Sequence, residues 1–178
     1  MRRTSAGNLA VVVLVMLAAG GCAGRDAGHE AQAADGAACE LLTERDLAEV
    51  YGEGLERVPD SAPASWSGRE VATCVYRRAA PAPVVVVVSL QRVGPADRGA
   101  RDAFIDTTRE ADPGRRLELV DDFVVPAVWD ATLEQLAAFP PGAIVSIKPT
   151  EAGGQGRSEV ARGFMRTAVA RWQARGQP

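Results

Sequence analysis

The sequence predicts an α+β domain in which about three helices pack on one face of an antiparallel sheet. The predicted order of elements is α-β-β-α-β-β-β-α. Three observations support this class: two neighbouring segments rich in β-branched residues, a series of short apolar segments separated by Asp, Pro and Gly, and three segments with helical spacing of apolar residues. Strands that follow one another closely favour antiparallel pairing, with the helices covering the sheet.

The first helix is predicted within the segment CELLTERDLAEVYG. Thr43 with Asp46 three residues later is a variant of the capping box, and Gly52 is a plausible end. The following residues, Glu53 to Glu70, are rich in Gly, Pro and Ser and predict a loop.

Two strands are predicted at Val71–Arg78 and Val84–Val93. The run of five valines in the second strand shows no alternation, which favours a strand covered on both faces or one long buried strand. A functional interpretation of the same run is the lining of an apolar ligand pocket, and plain core is the alternative.

The second half of the chain predicts helix, strands and helix. Apolar spacing from Ala100 to Ala111 indicates a helix, with Asp97 as its cap. The segments LELV, AVWD, LEQLAAF and AIVSIKP predict three or four short strands. A last helix, capped by Ser158, has an apolar stripe made of Ala161, Met165, Ala168 and Trp172.

Residues 1–21 have the layout of a secretory signal peptide. Arg2 and Arg3 precede an apolar segment from Leu9 to Ala19, and two glycines follow it. Eleven apolar residues are too few for a membrane-spanning helix, which needs about 20. A buried N-terminal helix is the alternative interpretation.

The segment LAAGGCAG around Cys22 resembles the lipobox of bacterial lipoproteins. Gly20 and Gly21 fit the pattern, whereas Ala19 stands where Leu is usual. The resemblance implies cleavage before Cys22 and a thioether-linked diacylglycerol on its sulfur, with a further acyl group such as palmitate on its amine. Two or more acyl chains give stable membrane anchoring. Conventional cleavage, with Cys22 free or in a disulfide, is the alternative.

Lipidation of Cys22 would leave Cys39 and Cys74 as an even pair in an oxidising compartment, which predicts a disulfide. Two unpaired buried thiols are the alternative. Residues 22–38 are rich in Ala, Gly and charge, and they predict a flexible tether before one globular domain at residues 39–175.

Composition and motifs do not indicate catalysis. Removal of residues 1–21 takes away two arginines and no acid and leaves a formal charge of −5, which disfavours a nucleic-acid partner. The single histidine, His29, lies in the predicted tether, so the domain offers no Ser-His-Asp system and no zinc site. The segment GGQGRS lacks the lysine of a phosphate-binding loop. We therefore expect no cofactor, no metal and no catalytic residues.

The segments ACELLTERDLAEVYG and TCVYRR, with Ala127 to Asp130 further on, resemble small bacterial envelope lipoproteins of the DUF3558 group. The resemblance covers about residues 38–172 and implies a disulfide and an envelope address. It carries over no catalytic residue. In place of the glycine-rich segment that is common before the tryptophan, this chain has FVVPAVWD.

The sequence thus predicts a lipid-anchored envelope lipoprotein with a non-catalytic domain that binds a protein or a small apolar ligand. Two alternatives are an envelope hydrolase that uses carboxylates and a structural component of an envelope complex. The membrane partner would be reached through the lipid on Cys22. The predicted location is the outer membrane in a Gram-negative cell, and otherwise the outer face of the plasma membrane.

Overall fold

A computed structural model of the protein describes residues 37–59, 64–66, 69–78, 84–94, 99–151 and 156–175. The described residues form three helices and eight strands. The helices are α1 (Glu44–Tyr51), α2 (Ala100–Ala111) and α3 (Arg157–Ala174). The strands are β1 (Leu55–Pro59), β2 (Ala64–Trp66), β3 (Arg69–Arg78), β4 (Val84–Arg92), β5 (Leu117–Val120), β6 (Ala127–Asp130), β7 (Gln135–Ala138) and β8 (Ala143–Pro149).

All eight strands belong to one antiparallel sheet, which confirms the predicted α+β class. The order across the sheet is β1-β3-β4-β8-β7-β6-β5, and β2 also pairs with β3. Strand β8 therefore lies between β4 and β7 and joins the two halves of the sheet. The four strands β5 to β8 lie within the four predicted short apolar segments.

The predicted loop from Glu53 to Glu70 is wrong, because β1, β2 and the first two residues of β3 account for ten of its 18 residues. Residues Leu55–Pro59 pair with Cys74–Arg78, and Ala64–Trp66 pair with Arg69–Val71. Both strands thus lie along the same edge of β3. Edge strands tolerate proline, which is one of the residues that made this segment resemble a loop.

One face of the sheet, called here the first face, carries the main core. Successive side chains of a strand point to opposite faces, and Val86, Val88 and Leu90 of β4 belong to this core together with Val145 and Ile147 of β8. Helix α3 contacts β7 and β8, and α1 contacts β1 and α3. The predicted stripe of α3 is fully buried here: Ala161, Met165, Ala168 and Trp172.

Helix α2 lies on the opposite, second face, so three helices on one face is not the observed arrangement. Phe104 and Ile105 of α2 pack in a separate cluster with Val128, Ala137 and Ile144. These strand residues alternate in sequence with residues of the main core, such as Val145. Helical spacing in the sequence shows which stripe of a helix is apolar but does not show which face of a sheet it covers.

The helix ends test three predicted caps. The Thr43–Asp46 capping box of α1 is confirmed, and Gly52 ends the helix with a positive φ of 77°. Helix α3 begins after Gly156 without a side-chain cap, so the predicted cap at Ser158 is wrong. Asp97 lies outside the described residues, and α2 begins after Gly99.

The folded domain begins at least two residues before Cys39. Ala37 and Ala38 are buried in the main core, although both fall in the predicted tether. The predicted signal peptide at residues 1–21 and the rest of the tether lie outside the described residues. None of the helices in the described part of the chain is long and apolar enough to cross a bilayer.

Candidate functional site

The predicted disulfide between Cys39 and Cys74 is formed. The two Cα atoms are 4.9 Å apart, both residues are buried, and the bridge links the segment before α1 to the middle of β3. Cys22, the predicted lipid-attachment residue, lies outside the described residues. The bridge therefore occupies both other cysteines of the chain and leaves Cys22 without an intramolecular partner.

Tyr76 fixes the backbone beside the disulfide. Its hydroxyl donates to the carbonyl oxygen of Leu42 at 2.8 Å and to that of Cys39 at 3.3 Å. Burial raises the pKa of the Tyr76 hydroxyl, so the group stays protonated and remains a donor. The segment before α1 is thus held by a covalent bond and by hydrogen bonds from the same strand.

Asp46 and Arg171 form an ion pair that connects α1 to α3. Two N–H groups of Arg171 donate to the carboxylate at 2.5 and 2.9 Å, and the carboxylate also accepts from the backbone N–H of Thr43. Burial alone would raise the pKa of Asp46, but the hydrogen bonds from Arg171 and Thr43 outweigh it and the pKa is lowered. The pair holds two helices together.

Asp130 is the only buried carboxylate among the described residues, at 3% exposed. The Nε–H of Arg115 donates to it at 2.7 Å, and a second N–H of the same guanidinium also contacts it. Its other oxygen accepts from the backbone N–H groups of Thr132 and Leu133 at 2.9 and 3.0 Å. One oxygen therefore binds Arg115 and the other holds the turn after β6, which is a structural role.

Asp121 and Asp122 are neighbouring acids in the turn before β6, and both are exposed. Asp122 is exposed and accepts from Arg162 of α3 at 2.8 and 3.0 Å. Within the described residues, no group of three or more His, Cys, Asp or Glu side chains could hold a metal ion.

The second face of the sheet carries the candidate binding site. Helix α2 covers the half made of β5 to β7, and side chains of β3, β4 and β8 form rows across the other half. Pairing places Thr73, Ser89 and Ser146 in one row and Val71, Gln91 and Ile144 in the next. Neighbouring strands lie about 4.8 Å apart, so each row presents closely spaced groups.

These rows line a groove of about 320 Å³ beside α2, called here the second-face groove. Its lining consists of Val71, Thr73, Ser89, Gln91, Phe104, Leu133, Gln135, Ile144 and Ser146. The lining combines aliphatic side chains with hydroxyls and amides, and no charged residue of the described chain belongs to it. The volume is at the lower end of the range for small-molecule sites.

Gln91 is the most notable residue of the groove. The residue is only 4% exposed, and none of the hydrogen bonds between described residues involves its side-chain amide. The amide atoms keep some accessible surface, since Nε of Arg77 is the only fully buried side-chain polar atom without a partner among the described residues. A side-chain amide has donor and acceptor groups, and here neither is used by the described part of the protein. The amide lines the groove, where a bound molecule can reach it.

The sequence did not single out these residues. The interpretation of the valine run as a pocket lining does not apply to this groove, to which β4 contributes Ser89 and Gln91 and none of its five valines. The alternative, plain core, describes Val85, Val86 and Val88. The signal was a pair of polar residues two positions apart, Ser89 and Gln91 in SLQ of β4 and Ser146 and Lys148 in SIK of β8. It became interpretable only once pairing placed these residues side by side.

A larger cavity of about 640 Å³ lies near the start of α2. It is lined by Pro126, Phe139 and Pro140 together with the strongly exposed Val124. No side chain that is both polar and buried lines it among the described residues, so it shows no group that would orient a ligand.

Comparisons with known proteins return no match. No protein-family model, no curated protein and no solved structure is significantly similar to this chain. The resemblance to the DUF3558 group therefore stays a prediction from its short motifs, and the candidate site rests on the geometry alone.

Proposed function

We propose that the protein is a lipid-anchored lipoprotein of the bacterial cell envelope whose domain binds a small ligand and does not transform it. The ligand would lie in the second-face groove, and the membrane would be reached through the lipid on Cys22. The proposed location is the outer membrane in a Gram-negative cell, and otherwise the outer face of the plasma membrane.

The cysteines support the anchor. A bridge between Cys39 and Cys74 suits an oxidising compartment, which is where a signal peptide would direct the chain. The lipobox-like segment before Cys22 and the resemblance to the DUF3558 group support the same location.

The observation that carries the binding function is the side-chain amide of Gln91, which makes no hydrogen bond among the described residues and keeps accessible surface in a groove without charged side chains. The described acids that are most buried have structural partners: Asp130 is held by Arg115, and Asp46 by Arg171. The groove instead has a few convergent polar groups that are not engaged in ion pairs, and it is the best-defined site of the described chain.

Blocking the groove tests this function. The Ser89→Phe substitution places a large side chain on the second face, and Asp106→Phe places the same side chain on the exposed surface of α2. The exported protein and both variants would be purified, their thermal unfolding compared, and co-purifying small molecules extracted and identified by mass spectrometry.

We expect one compound or compound class to accompany the wild type and the Asp106→Phe variant and to be lost from a folded Ser89→Phe variant. The same set of compounds in all three samples, or none in any, would contradict the proposal. A protein cross-linked to the groove in place of a small molecule would also contradict it.

A further inference from the structure

We infer the chemical class of the ligand: a neutral molecule that joins an apolar segment to an amide, hydroxyl or carbonyl group. This inference rests on the proposed function and assigns Gln91 as the residue that determines specificity. The groove contributes three properties to it, which are its lack of charge, its apolar edges and its unpartnered amide.

The lack of charge excludes ionic ligands on energetic grounds. A carboxylate, phosphate or ammonium group in the second-face groove would lose hydration without gaining an ion pair, since no described charged side chain lines the groove. A cation next to the groove on β8, Lys148, pairs with Val87 one row beyond Ser89 and Ser146 and is not part of the lining.

The apolar edges and the amide define the two parts of the ligand. Val71, Ile144 and Leu133 offer aliphatic surface that favours an apolar segment. Gln91 offers both a donor and an acceptor, so a ligand amide would complement it with two hydrogen bonds. Thr73, Ser89 and Ser146 offer further hydroxyls in one row across the sheet.

Three six-carbon probes that differ in the charge of the head group test the inference: hexanamide, hexanoate and hexylammonium. The exported, processed protein would be studied in phosphatidylcholine nanodiscs, with backbone amide chemical shifts followed during titration. We expect hexanamide to shift amide signals of β3, β4 and β8 and to bind at least about fivefold more tightly than either ion.

Substitution of the amide gives the matched comparison. Gln91→Leu keeps a side chain of similar size without hydrogen-bonding groups, and Gln173→Leu makes the same change on the exposed surface of α3. We expect hexanamide to bind Gln91→Leu about fivefold more weakly and Gln173→Leu as it binds the wild type.

The outcomes separate the two proposals. Tight binding of hexanoate that is lost in Lys148→Gln would overturn the inference of a neutral ligand but would leave the groove a binding site. Equal binding of all three probes would have the same consequence. If no probe shifts the signals of β3, β4 and β8, the groove is not a small-molecule site, and the proposed function fails with the inference. The comparison of probes on the wild type holds even if Gln91→Leu does not fold.

Discussion

Two side chains show at the scale of the residue how charges are used in this domain. Asp130 and Asp46 each accept hydrogen bonds from an arginine and from backbone N–H groups. A buried ion pair adds little relative to apolar packing, but removal of one partner leaves the other charge without compensation. We therefore expect the loss of either partner to lower the free energy of unfolding.

Asp130→Ala should lower the free energy of unfolding by about 3 to 5 kcal/mol, because it leaves Arg115 and two backbone N–H groups without their acceptor. Asp130→Asn retains an acceptor for the N–H groups and should cost less than Asp130→Ala. Urea denaturation measures both. Asp106→Asn on the exposed surface of α2 is the control, and an Asp130→Ala variant as stable as this control would contradict the assigned role.

The Asp46–Arg171 pair should make stability depend on pH. The pKa of Asp46 is lower in the folded state than in the unfolded chain, so its contribution is present above the unfolded pKa of about 3.9 and is lost as the pH falls through the folded pKa. Arg171→Leu should cost about 1 to 2 kcal/mol at pH 7.

The cost of Arg171→Leu should shrink as the pH is lowered from 5 toward 2, which urea midpoints across that range would show. Arg109→Leu, at an exposed position of α2, should show no such dependence. An equal loss for Arg171→Leu at pH 7 and pH 2 would contradict the assignment.

At the scale of the element, strand β4 shows what sequence patterns could and could not predict. Its five valines alternate only in part. Val86 and Val88 are fully buried in the main core and Val87 is half-buried on the second face, whereas Val85 is also fully buried and lies at a register shift opposite Tyr76 and Arg77. Hydrophobicity alone identifies the strand. The burial of each face of the strand depends on which helix covers that face, and this is determined by the arrangement of the neighbouring strands.

Val88→Ala should therefore destabilise the domain by about 2 kcal/mol, through lost burial and the cavity left behind. The matched change Val87→Ala should cost less than about 1 kcal/mol, because its side chain is partly exposed in both states. Chemical denaturation compares the two. Equal costs would mean that the second face is covered as completely as the first.

The elements with strong local signals could be predicted, and those fixed by pairing could not. The capping box of α1 and the stripe of α3 follow from spacing that one helix shows by itself. Strands β1 and β2 were missed because their sequences carry loop-like residues and their structure depends on the edge of β3. The position of α2 likewise depends on which residues of β6 to β8 face it.

The second-face groove, like strands β1 and β2, could not be predicted from local sequence because it depends on strand pairing. Cys39 and Cys74 could be paired by counting cysteines, whereas Gln91 and Ser89 gain meaning only from their neighbours on β3 and β8. Nothing local distinguishes a buried glutamine that lacks a partner from a polar residue on a solvated strand.

At the scale of the whole molecule, the disulfide joins the start of the domain to the centre of the sheet. It closes a loop of 36 residues, and the chain-entropy model gives about 3.8 kcal/mol for that length. The Cys39→Ala/Cys74→Ala double variant should lose about 2 to 4 kcal/mol in urea denaturation.

Cys22→Ser is the matched control for the double variant and should leave the free energy of unfolding unchanged, because Cys22 takes no part in the bridge. A loss in Cys22→Ser as large as that in the double variant would contradict the assignment of the cysteines.

We propose that a lipid on Cys22 holds this domain at the membrane, and intact-mass and peptide mass spectrometry of the protein from membranes tests this proposal most directly. If the proposal is correct, the mature chain begins at Cys22 and carries diacylglycerol on the sulfur of that residue. We also expect Cys22→Ser, with the same folded domain, to be released from the membrane fraction. A wild-type chain with an unmodified Cys22, fractionating as the Cys22→Ser variant does, would contradict it.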